Sequence, residues 1–450
     1  MDKRVFLLGL FLFALGHVNG FPMSDLIEKL PGQPNVTFRQ FSGYIDVDEK
    51  TGRSLFYYFV EAEKDPMNLP LTVWLTGVSN LLFIDSPVGA GWSYSNTSND
   101  YEVGDDSTNK DLLTFILQWF EKYPNFNSRD LYLGGSSYAG HFIPNFANAL
   151  LDYNKQSNNF KFNVKGLALG NPLLRNKLDT LAVYDFFWLR GMININLHQQ
   201  ILKECNGIDE DNYSNNATKW SESCQQAMDK AEMAAFIVSS INVAKARRFD
   251  VLRDPCDEKW EDLVLGKEVT KVSYEVDMCI PFRADFYFNI PEVQKAFHGN
   301  RTNLGYQWKD CFETSGLKYN DVDKDIDMLP ALKKFFNNLF PLQYSEIMWL
   351  TLLFCFLLSF YPISCYSGNQ DAIVPTVGTL NHVNKLAKDM NLNLTKDEAW
   401  NHDNKGEGWM YSYGNLLTFM IVKGANHHVT FSKSSDALFI FTNVVLNRSH

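Results

Sequence analysis

The amino-acid sequence predicts an α/β fold: a doubly wound mixed sheet with a helical segment inserted into it. Three observations carry this. Short apolar runs that read as buried strands alternate with amphipathic helices through residues 21–181 and again through 289–450. Between them, over residues 182–288, the strand signal fades and the chain turns polar and helix-rich. Within the first part, the apolar run Leu131 to Leu133 passes through two glycines and two serines straight into a helix, which is the strand–turn–helix setting of a nucleophile elbow.

Taken in order, residues 1–20 read as a secretory signal. Lys3 and Arg4 supply the charged start, Val5 to Leu15 the apolar segment, and Val18-Asn19-Gly20 the small residues that place cleavage before Phe21. A membrane anchor is disfavoured because that apolar stretch is short against the roughly 20 residues a spanning helix needs. Strands are expected over 43–47, 54–60, 71–75 and 81–85, and the loop 86–94 ends the last of them. Residues 106–123 repeat apolar side chains at helical spacing (Leu112, Leu113, Ile116, Phe120). The elbow strand follows, with a helix over 138–151 that aligns Phe142, Phe146 and Leu150, and then a strand over 162–169 that ends in Gly170-Asn171-Pro172.

Residues 182–288 read as a lid covering the site. They hold Cys205, Cys224, Cys256 and Cys279, for which pairing in sequence order would give two local loops and is one of three connectivities. Beyond it, helices are expected over 292–298, 329–336, 377–390 and 434–446, and strands over 408–413 and 416–422. An atypical apolar block spans about 339–365, and its stretch 347–360 has no charge and no helical or alternating period. It reads either as a buried or membrane-seeking segment or as sequence foreign to the fold.

An apolar content of 45% leaves ample core. The net charge of −11 argues against nucleic acid and anionic membrane surfaces as partners. Asn-x-Ser/Thr sites at Asn35, Asn96, Asn212, Asn216, Asn300, Asn393 and Asn447, behind a signal, point to the secretory pathway. In that oxidising compartment cysteines are bridged, and their spacings match no zinc pattern, so neither metal nor cofactor is expected.

In the elbow, only small residues fit two before and two after the nucleophile. Gly135 and Ala139 occupy those places around Ser137, which selects Ser137 over Ser136. A serine hydroxyl needs an imidazole to take its proton and a carboxylate to hold that imidazole. Asp371, in the loop 367–375, and His427, in the loop 424–429, each follow an expected strand and so belong to the same sheet edge as the elbow. A loop aspartate is ordinarily solvated and a lone histidine ordinarily structural, and His428 rivals His427. Three roles in the order serine, acid, histidine carry more weight than any one of them.

These motifs resemble the serine carboxypeptidases, close to the plant carboxypeptidase-like group. The likeness runs nearly end to end, through Leu30-Pro31-Gly32-Gln33-Pro34, Phe41-Ser42-Gly43-Tyr44, the run from Phe83 to Tyr94, Ser137-Tyr138-Ala139-Gly140-His141, Gly170-Asn171-Pro172, Asp371 with Val374-Pro375, and Gly424-Ala425-x-His427. The resemblance implies an α/β-hydrolase fold with an inserted helical lid, and release of C-terminal residues from peptides or proteins at acidic pH through an acyl-enzyme on Ser137. It implies His427 as base, since the family's histidine lies three after the glycine, and Asp371 as its orienter. It also implies the disulfides Cys205–Cys224 and Cys256–Cys279, and secretion or delivery to the vacuole.

Departures from the family pattern accompany the likeness. After Trp74-Leu75 the family continues Asn-Gly-Gly-Pro-Gly-Cys-Ser-Ser, whereas this chain reads Thr76-Gly77-Val78-Ser79-Asn80 and enters the next strand, an apparent deletion near 77–80. The missing stretch supplies one oxyanion-hole N–H and the asparagine that grips the substrate carboxylate, so the Tyr138 N–H is left as the identifiable donor. It also holds the partner of Cys311, which is then expected to be unpaired. Ser136 stands where the family's substrate-binding glutamate does, Thr430 replaces a proline and Asn369 an aspartate. The apolar block interrupts the strand that leads into the acid loop. A deletion and an insertion in an otherwise continuous match suggest altered splicing or a gene-model error. Besides carboxypeptidase activity, two readings stand: acyl transfer from glucose esters, whose enzymes carry Asp before the serine and Ser two after it, and a catalytically impaired product. Ala139 and His141 favour the peptidase.

Overall fold

The computed structural model describes residues 17–18, 20–73, 79–211, 213, 219–238, 248–254, 256, 259, 272–273, 276–309, 316–320, 322–339 and 362–445. Its centre is a ten-stranded sheet built from β1 (Gln40–Asp48), β2 (Arg53–Val60), β3 (Leu71–Val73), β4 (Asn80–Ile84), β5 (Asp130–Ser136), β6 (Asn163–Gly170), β7 (Ile363–Gly368), β8 (Leu394–His402), β9 (Lys405–Tyr413) and β10 (Leu417–Val422). Across the sheet they run β8-β9-β10-β7-β6-β5-β3-β4-β2-β1. The central block from β10 to β4 is parallel, and both flanks are antiparallel. Parallel strands must be covered on both faces, and their near-continuous apolar runs reflect it.

The helices are α1 (Asp105–Lys122), α2 (Ala139–Gln156), α3 (Asn176–Leu189), α4 (Ile195–Glu204), α5 (Glu222–Val238), α6 (Ile280–Tyr287), α7 (Pro291–Ala296), α8 (Leu329–Leu339), α9 (Thr376–Asp389), α10 (Val429–Ser432) and α11 (Ser434–Ile440). The main core joins Leu112, Phe115, Ile116 and Trp119 of α1 and Phe146 and Leu150 of α2 to Leu71, Leu131, Leu133, Leu167 and Leu169 of the sheet. Phe21, where the mature chain is expected to begin, is buried in this core and stacks on Phe41 with ring centroids 5.5 Å apart.

Two elements differ from expectation. Strand β8 carries no apolar alternation, because it is an outer strand of which only Trp400 is buried. The last helix leaves α-geometry after Ile440 and continues as a wider π-turn over Phe441–Val445. The inserted segment is helical, with its own core of Val183, Phe186, Phe187, Ile201, Met228 and Ala231. Its disulfides join Cys205 to Cys224 and Cys256 to Cys279. The signal residues 1–16 and 19, Cys311, and the apolar block over 340–361 lie outside the described residues. That block's two ends are the last residue of α8 and the start of β7. Among the described residues, no helix is long and apolar enough to cross a membrane.

Candidate active site

Because β5, β6, β7 and β10 are parallel neighbours, the loops after them emerge at one rim. Ser136 pairs with Gly170, Gly170 with Tyr366, and Tyr366 with Met420, one register row across the four strands. Ser137, Asn171, Asp371 and His427 lie just past that row.

Ser137 sits in the left-handed region at φ 62°, a conformation that strains any residue with a Cβ. The turn is held by Ser137 N–H to Gly170 O (3.0 Å) and by Leu173 N–H to Ser137 O (2.9 Å). A Cβ on Gly135 would come within 2.4 Å of the Ala139 Cβ, and one on Gly140 within 2.3 Å of Leu173 O. Small residues at those places are therefore a steric requirement. The Tyr138 N–H lies at the start of α2, where helix geometry gives it no intrahelical acceptor.

Asp371 and His427 are both buried and in contact, with His427 Nδ1 2.6 Å from Asp371 Oδ2. The carboxylate also accepts from Asn171 Nδ2 (2.8 Å) and from the N–H groups of Ile373 (2.7 Å) and Val374 (3.2 Å). These bonds fix its plane, and with it the imidazole. The His428 ring stacks on Phe249 at 5.9 Å, its backbone N–H donates to Asn426 Oδ1, and burial followed by its neighbour His427 holds its pKa down at about 4.

Residues that sequence reasoning gave no role also serve this site. Asn171, at φ 40°, bridges from β6 to the acid loop, donating to Asp371 and Ser367 and accepting from Gly368 N–H. Asp105 gathers His141 Nδ1 (2.9 Å), Tyr319 Oη (2.6 Å) and Tyr138 Oη (3.1 Å). Burial opposes its charge, but these three donors outweigh burial and keep the carboxyl below its usual range. Tyr138 in turn stacks on His141 at 4.7 Å. The quoted Ser-Tyr-Ala-Gly-His run was the only signal that could have pointed to this cluster.

Ser136 is half-buried, with its hydroxyl on the buried Tyr366 side chain. Asn80 belongs to the opposite rim: it opens β4, its N–H donates to Pro70 O at 3.0 Å, and so it gives no donor toward Ser137. Residues 74–78 lie outside the described residues. A cavity of about 290 Å³ opens beside Ser137 and Tyr138, with apolar walls from Leu173, Val183, Ile373 and Val374 and a polar end formed by Asp179 and the paired Glu232 and Arg248. Of the sequon asparagines, Asn35, Asn96 and Asn393 are exposed. Asn300 is half-buried, with its amide bonded to Gln294 Oε1 and Leu304 N–H. Asn212, Asn216 and Asn447 lie outside the described residues.

The serine carboxypeptidase family model matches residues 31–77, 78–345 and 351–447. The chain belongs to the serine carboxypeptidase family. Among its relatives, the serine carboxypeptidase-like proteins 44 and 42 of Arabidopsis thaliana are each 42% identical. The alignments cover 95% of this chain and 91% of the first relative, and 99% of this chain and 94% of the second. In fold it is similar to Kex1, a prohormone-processing carboxypeptidase from Saccharomyces cerevisiae, at 19% identity and a TM-score of 0.66 over 93% of this chain and 95% of that one. The fold is that of the α/β-hydrolases. The breaks in the family match, after residue 77 and between 345 and 351, fall at the apparent deletion and inside the apolar block.

Proposed function

We propose that this protein is a secreted or vacuolar serine-type carboxypeptidase that releases C-terminal residues from peptides through an acyl-enzyme on Ser137. Ser137 Oγ attacks the carbonyl of the last peptide bond while His427 Nε2 takes its proton. Asp371 holds the Nδ1–H tautomer and stabilises the imidazolium. The Tyr138 N–H donates to the developing oxyanion. His427 then returns the proton to the departing amino group, leaving the acyl group as an ester on Ser137. A water molecule, deprotonated by the same imidazole, hydrolyses that ester and restores the hydroxyl. The side chain beside the scissile bond occupies the cavity at Ser137.

The observation that supports this reading best is the buried Asp371–His427 couple at the rim where Ser137 sits in its strained elbow. With Tyr138 as the identifiable oxyanion donor, turnover is expected to fall about 10²–10³ below that of an enzyme with two donors. The test is release of the C-terminal residue from an N-blocked dipeptide at about pH 5. Release that stops in Ser137→Ala supports the reading. Acyl transfer from a glucose ester without peptide release would replace it with the acyltransferase reading.

A further inference from the structure

Residues 248–253 belong to the inserted segment, yet they are woven between the loops that carry Asp371 and His427. Ala372 N–H donates to Arg248 O at 2.8 Å and Val251 N–H to Gln370 O at 3.0 Å, so this strap grips the acid loop on both sides of Asp371. His427 N–H donates to Phe249 O at 2.9 Å. The Phe249 ring meets the His427 imidazole edge-on, centroids 5.1 Å apart at 63°, and stacks on His428 at 5.9 Å. The strap is itself anchored. Arg253 and Asp250 form a buried ion pair at 2.7 Å, and Arg253 Nη2 donates to the carbonyl of Gly424, which opens the histidine loop.

We propose that Phe249 is a positioning residue for the general base, so that the inserted segment, besides flanking the cavity, completes the catalytic geometry. The Asp371 bond fixes one edge of the imidazole but leaves it free to pivot about that bond. The Phe249 ring occupies the space into which it would pivot, and the backbone bond from His427 to Phe249 holds ring and imidazole in register. A displacement of about 1 Å in a catalytic group costs on the order of 10²-fold in rate. The inference rests on His427 being the base.

The experiment uses the full secreted chain with Phe249→Ala, Phe249→Leu and, as a control on the same strap, Leu252→Ala, whose side chain is partly exposed. Three quantities are read: kcat and KM on the blocked dipeptide, the rate of fluorophosphonate labelling at Ser137, and the downfield proton resonance of the His427–Asp371 hydrogen bond. Phe249→Ala is expected to lower kcat about 10²-fold with KM unchanged and to broaden or abolish the downfield resonance. Phe249→Leu should recover most of both, and Leu252→Ala should match wild type. Wild-type kcat and an intact resonance in Phe249→Ala would overturn the proposal, as would equal losses in Phe249→Ala and Leu252→Ala. If Phe249→Ala does not accumulate, Phe249→Leu carries the test, and an unchanged kcat and resonance there overturn it. A folded wild-type protein that never labels would remove the base reading itself, and the proposal with it.

Discussion

At the scale of single residues, the site depends on what each polar atom is bonded to. In the proposed mechanism Asp371 orients His427 only as an acceptor of the imidazole N–H. Asp371→Asn can keep the backbone bonds of its loop yet offers His427 the wrong tautomer, and kcat is expected to drop about 10⁴-fold with little change in KM, read by steady-state kinetics. Asn171 is a subtler case. Asn171→Gly keeps the left-handed backbone and removes the amide that donates to Asp371 Oδ2. Losing that bond together with those to Ser367 Oγ and Gly368 N–H should lower kcat at least about tenfold and lower the thermal midpoint as well. Ser137, Asp371 and His427 could be picked out of the sequence as candidates because each has a chemical type, a motif and a place after an apolar strand. Asn171 and Asp105 were not. An asparagine between glycine and proline reads as a turn, and nothing local says that its amide reaches a carboxylate 200 residues later. Asp105 opens α1, where an acidic residue is expected for the helix dipole alone.

At the scale of elements, periodicity was readable wherever burial imposed it. Helix α1 was expected over 106–123 and spans Asp105–Lys122, because its apolar stripe faces the sheet. Strand β8 was missed because an outer strand with one buried side chain has no stripe to read. The link between β3 and β4 carries a separate message. They are parallel neighbours with only residues 74–79 between them, whereas a parallel crossover ordinarily takes about a dozen residues or more. The family's longer stretch fits that need. Transcripts sequenced across this junction are expected to include a form with additional codons, and their uniform absence would contradict the splicing reading. In the inserted segment, the Cys205–Cys224 bridge closes a loop with a sequence separation of 19. Replacing both cysteines by serine should cost about 3 kcal/mol, read as a lowered guanidinium midpoint.

At the scale of the whole molecule, buried titratable groups set where on the pH axis the fold is most stable. His382 is fully buried. Burial opposes its charge, but Asp179 Oδ1 and Glu210 Oε1, each 2.9 Å from a ring nitrogen, outweigh burial and raise its pKa from 6.5 to about 9. As pH rises the unfolded chain gives up this proton first. The stabilisation, about 3 kcal/mol, is therefore complete below pH 6.5 and is lost as pH climbs to about 9. His428, held down at about 4, acts in the opposite sense between pH 6.5 and 4. The melting temperature should fall from pH 6.5 to 9 in wild type, and His382→Gln should flatten that fall. The proposed convergence of three distant side chains at one rim is also a whole-molecule property, and one measurement tests it most directly: fluorophosphonate labelling of the folded protein with the labelled residue mapped by mass spectrometry. Labelling is expected at Ser137 alone, slowed strongly in His427→Gln and absent in Ser137→Ala. Folded wild-type protein that stays unlabelled, or that labels as fast without His427, would contradict the account.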